Sequence, residues 1–131
     1  MDSTKDLIIV GGGPAGYSAA LYAARASLDV LVVEHGMAGG QIATSDIIDN
    51  YPGLGSCSGA ELGQKMQEHA EHAGAQSTYG SVSSIDREDD MFIVNTDMEQ
   101  LEAPALIVAT GATPRLGGFV GEDEFRGRGV S

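Results

Sequence analysis

The sequence holds a single cysteine, Cys57, which excludes an internal disulfide and any metal site built on paired cysteines. Basic residues are scarce: Lys5 and Lys65 are the only lysines, and 7 Lys and Arg face 19 Asp and Glu, for a formal net charge of −12. Nucleic-acid phosphates need a basic face, so the charge argues against nucleic acid as a partner. It argues against an anionic membrane surface for the same reason. No apolar run approaches the ~18 residues of a membrane span. The apolar run Leu7–Val10 is too short for a secretory leader and lacks a basic head. These absences lead to the expectation of a cytoplasmic chain in a reducing compartment, with a solvated acidic surface. Acidic, lysine-poor composition also fits a high-salt cell or a GC-rich genome.

What is present suits one globular domain: 131 residues, 42% apolar, with 19 glycines for tight turns and close backbone approaches. Leu7–Val10 is a short continuous apolar run, as in a parallel strand buried on both faces. An alanine-rich stretch opened by Pro14 predicts a helix over 14–27, and Val30-Leu31-Val32-Val33 predicts a second buried strand. Together they form a β–α–β unit. Residues 35–58 read as a long loop, and such loops are usually functional. Leu62, Met66, His69 or Ala70, and Ala73 recur at helical spacing over 60–73, with Gly74 as the stop. A third strand is expected over 75–79. The grammar then changes to short antiparallel strands at 82–86, Met91–Thr96 and 100–102, with acidic turns. Residues 105–109 read as another buried strand, and the tail from Pro114 as irregular. The fold class is therefore α/β: a Rossmann-like three-layer fold with a parallel sheet and a small antiparallel meander.

Gly11-Gly12-Gly13-Pro14-Ala15-Gly16 matches the pattern G-x-G-x-x-G. The pattern alone is weak, but here it follows a predicted strand and opens a predicted helix. Gly11 permits the turn out of the strand, Gly13 lets a pyrophosphate approach the backbone, and Gly16 lets the helix lie close. The helix start offers unpaired N–H groups and a positive dipole end. The acidic surface is no obstacle, because its charges are screened beyond about 8 Å while the amides act at contact distance. Glu34 follows Gly16 by 18 residues, near the ~20 expected of an acid that binds a ribose. A carboxylate there repels a 2′-phosphate and favours FAD or NAD over NADP. Thr110-Gly111 follow the last apolar strand, where ligands of such folds lie.

Other residues carry less. Cys57 sits in a serine-rich loop and reads as structurally incidental. His69 and His72 share a helix without further ligands, so no metal site follows, and one packed and one solvated ring is the expectation. His35 flanks Glu34. No catalytic residue is identified.

At this point several segments resemble the low-molecular-weight thioredoxin reductases. They are Ile9 to Tyr17 with Ala23-Ala24-Arg25-Ala26, Gly39-Gly40-Gln41, Asp49-Asn50-Tyr51-Pro52-Gly53, Glu68-His69-Ala70, Ile107 to Ala112, and Phe125 to Ser131. The resemblance covers essentially the whole chain. It implies a split FAD domain of which residues 1–131 are an incomplete first segment, an inserted NADPH domain bearing Cys-x-x-Cys, and a second FAD segment that closes the sheet. It implies that residues 34–41, Glu34, His35, Gly36, Gly40 and Gln41 among them, line the adenosine and pyrophosphate path. Asn50 would approach the flavin ring, Val82 the adenine, and Ala109, Thr110 and Gly111 the cofactor. The complete enzyme would take NADPH, act on thioredoxin or a similar small disulfide protein, and form a homodimer. In the family the Gly-Arg-Gly-Val-Ser stretch runs into Cys-x-x-Cys; here the sequence ends at Ser131, so the segment alone is expected to be inactive. Gly118-Phe119-Val120-Gly121 departs from the family, which usually places a proline before its Gly-Glu pair. Alternatives are the same segment of a peroxide-system flavoprotein or a ferredoxin–NADP reductase, an NAD-binding dehydrogenase module, and a non-catalytic FAD-binding remnant. The meander argues against the dehydrogenase module, which would continue with a second β–α–β crossover.

Overall fold

A computed structural model describes residues 4–130 of the chain. Four parallel strands form the central sheet: β1 (Leu7–Val10), β2 (Val30–Glu34), β3 (Gln76–Tyr79) and β7 (Ala105–Val108), in the order β3-β2-β1-β7. A second sheet is antiparallel, β4 (Val82–Glu88), β5 (Met91–Thr96) and β6 (Gln100–Ala103), in the order β4-β5-β6. Helices α1 (Pro14–Arg25) and α2 (Gly59–His72) are the long ones, and α3 (Glu122–Phe125) is a single turn.

The alternation of a strand explains the three layers. Leu7 and Ile9 of β1, with Val30 and Val32 of β2, point to one face and pack against Tyr17, Ala20 and Ala24 of α1 and Ala70 of α2. Ile8 and Val10, with Leu31 and Val33, point to the other and meet Val94, Leu101 and Ala103 of the meander. Both faces of β1 and β2 are thus covered, which is why β1 is apolar throughout and β2 at every position but its last, Glu34. Tyr17 is fully buried, and its hydroxyl lies 3.2 Å from Ser77 Oγ, tying α1 to β3. Burial pushes its phenol above the ordinary tyrosine range.

Some expectations are corrected. The apolar run Ala105–Val108 does form a strand, but it is an edge strand. It pairs only with β1, and Val108 is 60% exposed. His69 and His72 are both exposed, because Ala70 takes the buried position between them. The long loop contains a 3-10 turn at Gly40–Thr44, and the tail contains α3. Helix α1 ends earlier than 27, where Ser27 adopts a positive φ of 63°. Ser131 lies outside the described residues. Among the described residues no helix is long and apolar enough to cross a membrane, and no group of three His, Cys, Asp or Glu side chains is placed to hold a metal.

Candidate cofactor site

The carboxyl ends of β1, β2 and β7 converge on one cavity of about 830 Å³. That is within the ~300–1,000 Å³ range of small-molecule sites. Each strand end is extended by one more backbone bond. Gly11 N donates to Val33 O at 2.9 Å, Ala109 N to Val10 O at 2.8 Å, and Gly80 N to Glu34 O at 3.0 Å. The turns that leave the sheet are therefore fixed to it.

The glycine turn divides its work among its residues. Gly11 has φ +114°, and a Cβ on it would lie 2.0 Å from Ala109 O, so the turn runs directly against the end of β7. A Cβ at Gly16 would lie 1.8 Å from Gly11 O, so α1 sits down on the turn itself. Gly13 is different. Its Cβ would meet nothing nearer than Gly39 O at 3.7 Å, and Gly13 lines the cavity. Pro14 is the first residue of α1 and Ala15 the next, and both line the cavity. The amides of Ala15 and Gly16 belong to the first helical turn, which has no internal carbonyl partners.

A second glycine turn faces the first. Gly39 N donates to Gly12 O at 2.8 Å, and a Cβ at Gly40 would meet Gly13 Cα at 3.4 Å. The two turns make a cleft walled by backbone, the kind of surface that admits a phosphate. Gln41 follows, and its side-chain amide donates to Ala112 O, linking the 3-10 turn to the segment after β7.

Glu34 is 7% exposed at the end of β2. Its Oε2 accepts from Gly12 N at 2.7 Å, and its Oε1 accepts from His35 N at 2.7 Å and Gly36 N at 3.2 Å. The carboxylate thus anchors the glycine turn and the start of the long loop, besides lining the cavity. The His35 ring is exposed, with Nδ1 3.2 Å from Glu34 Oε1.

Of the residues singled out in the sequence, Gly11, Gly13, Pro14, Ala15, Glu34, His35, Gly36, Gly40, Gln41, Val82, Ala109, Thr110 and Gly111 line this one cavity. Gly16 lies just beneath its floor. Asn50 does not line it; it is exposed on the loop that the Ile48–Cys57 bridge closes, where Ile48 N donates to Cys57 O at 2.7 Å. Met37, within the expected 34–41 path, lines the cavity too; sequence reasoning missed the rest of the 3-10 turn at Ile42 to Thr44, and Gly80-Ser81 before β4. Their only signal was membership of the long loop or adjacency to Val82.

The cavity therefore combines a cleft walled by backbone, the buried carboxylate of Glu34 and the apolar side chains of Val10, Val33, Met37 and Val82 in one space. Residues 5–131 match the family described as pyridine nucleotide-disulphide oxidoreductase. The chain is 43% identical to the thioredoxin reductase of Bacillus subtilis over 96% of its own length and 40% of that protein's. It is 45% identical to the thioredoxin reductase of Treponema pallidum over 100% of its length and 43% of that protein's. Among solved structures, the thioredoxin reductase of Lactococcus lactis superposes with a TM-score of 0.83 at 39% identity, covering 97% of this chain and 42% of that one. The chain thus spans about two fifths of the length of the relatives it matches. On its sequence, its fold and the make-up of its cavity, the chain belongs to the pyridine nucleotide-disulphide oxidoreductase family.

Proposed function

We propose that the cavity holds the ADP half of FAD and that the chain is the first FAD-binding segment of an NADPH-dependent thioredoxin-disulfide reductase. The observation that carries the reading is the cleft between Gly13 and Gly40, where a side chain on Gly13 would enter the cavity and none is present. The residues fit the cofactor. The amides of Ala15 and Gly16 would hold the pyrophosphate, and the dipole of α1 favours its charge. Glu34, already fixed by three amides, would accept from ribose hydroxyls. Its negative charge selects against a 2′-phosphate. Val82 and Met37, with Gly80 and Ser81, would flank the adenine. Ala109 to Gly111 would line the path from the end of β7, and Asn50 would reach the flavin from its exposed loop.

When bound, FAD supplies a carrier that accepts a hydride and delivers two electrons to a disulfide. The work of this chain is to bind, orient and select the dinucleotide. Its one cysteine has no partner with which to cycle. The redox cysteine pair, the NADPH site and the closing FAD segment would belong to the remaining length that its relatives have. Thioredoxin or a similar small disulfide protein would be the substrate, the whole enzyme would be a homodimer, and its location would be cytoplasmic. The antiparallel meander β4–β6 supports this reading over a dehydrogenase module.

The test is titration of FAD, NADP and NAD into the purified chain, followed by quenching of flavin fluorescence and by competition. FAD is expected to bind, with NADP the weakest competitor. NADP binding tighter than FAD would overturn the reading.

A further inference from the structure

The wall of the cavity formed by the second glycine turn is tied to the turns that leave the sheet only by Gly39 N to Gly12 O and Gln41 to Ala112 O among the hydrogen bonds described above. It is held from behind by α2, and the contact is made through glycines. Gly59 opens α2, and a Cβ there would lie 1.7 Å from Ile42 O and 2.9 Å from Ser45 O. One turn later, a Cβ at Gly63 would lie 2.2 Å from Ala38 O and 2.7 Å from Gly39 Cα. The constraint runs both ways, because Gly39 has φ +103° and its own Cβ would lie 2.8 Å from Gly63 Cα. Gly59 N also donates to Ser45 O at 2.9 Å, and the helix is set at this end by Ser58 Oγ, which accepts from Glu61 N at 3.1 Å.

Gly59 and Gly63 are both buried and neither lines the cavity. The segment they seat does: Gly40, Gln41, Ile42, Ala43 and Thr44 form that wall. Backbone lies on backbone here, so no flexible side chain can absorb an added methyl. An added Cβ must change how residues 38–45 seat on α2, and Gly39 and Gly40 in that segment are the residues that face Gly13 across the cleft.

We propose that Gly59, supported by Gly63, is a positioning residue for the cofactor: it sets the depth of the wall at Gly39 to Thr44 and so the width of the phosphate cleft. The inference rests on the FAD reading above for its ligand, but not for its geometry. A glycine at this place acts on affinity without touching the ligand.

The experiment compares the chain with Gly59→Ala and Gly63→Ala, using Lys65→Ala on the solvent side of α2 as control. Affinity is measured well below each melting temperature, so that it reports folded protein. Both glycine variants are expected to bind FAD roughly ten- to a hundredfold more weakly, the scale on which overpacking a close contact shifts an equilibrium. Lys65→Ala is expected to bind as the parent does. Amide resonances provide a second reading that needs no cofactor. Residues 38–45 and Gly12-Gly13 are expected to shift in the glycine variants, while β5 and β6 stay in place. A role confined to stability would lower the melting temperature and leave both affinity and these resonances unmoved, which overturns the proposal. If the parent chain fails to bind FAD, the ligand assignment falls, and the resonances of 38–45 still decide the seating. If Gly59→Ala does not fold, Gly63→Ala decides it alone.

Discussion

Glu34 Oε2 accepts a hydrogen bond from the amide of Gly12 at 2.7 Å, joining the end of β2 to the middle of the glycine turn. The same carboxylate also accepts from the amides of His35 and Gly36. A residue chosen in the sequence as a ribose ligand thus also fixes the glycine turn that lines the cavity. The observed amide contacts and the proposed ribose contacts share one requirement, an acceptor with several lone pairs.

Glu34→Ala is expected to weaken FAD binding by about 1–3 kcal/mol, the range for losing hydrogen bonds to a charged group. Glu34→Gln should recover little of this, because its NH₂ would face amide donors. Fluorescence titration of the three proteins measures both effects. Equal affinities would remove Glu34 from the site.

Gly13→Val and Gly16→Val should fail in different ways. The Cβ at position 13 meets no atom closer than 3.7 Å, so the variant should melt near the parent temperature and yet lose FAD, because its methyls enter the cavity. The Cβ at position 16 would collide with Gly11 O at 1.8 Å. That variant should lose about 1–3 kcal/mol or more of stability by overpacking. Thermal melts with and without FAD separate the two. Normal FAD uptake by folded Gly13→Val would refute the phosphate cleft.

Edge strand β7 should make the chain self-associate. It pairs on one side only, and Ile107 and Val108 are exposed there. An unpaired apolar edge is a template for further strands. Sedimentation velocity should show association that rises with concentration and falls in Val108→Lys, with little change in melting temperature. A parent chain that stays monomeric at high concentration would count against it.

Acid should loosen the tail. Glu122 accepts from Gly117 N at 2.6 Å and Gly118 N at 2.8 Å, and Arg126 Nη2 lies 3.4 Å away. The Gly117 amide first, and the Gly118 amide next, hold its carboxyl below the usual range. A lowered folded value means that the stabilisation is present above the unfolded value of about 4.3 and is lost as pH falls through the folded one. The Glu122 carboxyl resonance should therefore titrate with a midpoint below about 4.3. In step with it, the Gly117 and Gly118 amides should lose their downfield shifts. A midpoint at the ordinary value would mean that the contacts do not persist in solution.

The isolated chain should not turn over NADPH with an aromatic disulfide when FAD is supplied. Cys57 is half-buried, and its backbone serves to close the loop against Ile48. Absorbance at the thiolate product band measures this. Turnover above the free-FAD background would show chemistry outside the residues named above.

Local rules made the β1–α1–β2 unit, the glycine turn, Glu34, α2 and the meander readable from the amino-acid sequence. A buried strand, a helix stripe and a phosphate turn each depend on residues within a few positions of one another, and their patterns survive without knowledge of neighbours. The three layers also followed, since an apolar residue at every position of 30–33 calls for cover on both faces. Burial is different, because it depends on what comes to lie beside an element. Ala105–Val108 is as apolar as β1, yet it lies at the sheet's edge. His69 and His72 turned outward because Ala70 could pack where an imidazole could not. The seat at Gly59 and Gly63 was equally hidden. Nothing in a helix start reveals that another segment's carbonyls will lie where its Cβ atoms would be. The sequence by itself determined the glycine turn, the strand ends around it and the carboxylate of Glu34, on which the proposed ligand chemistry rests. The packing of α2 against 38–45 decided how wide the cleft is, because that distance is set by contacts between segments about twenty residues apart.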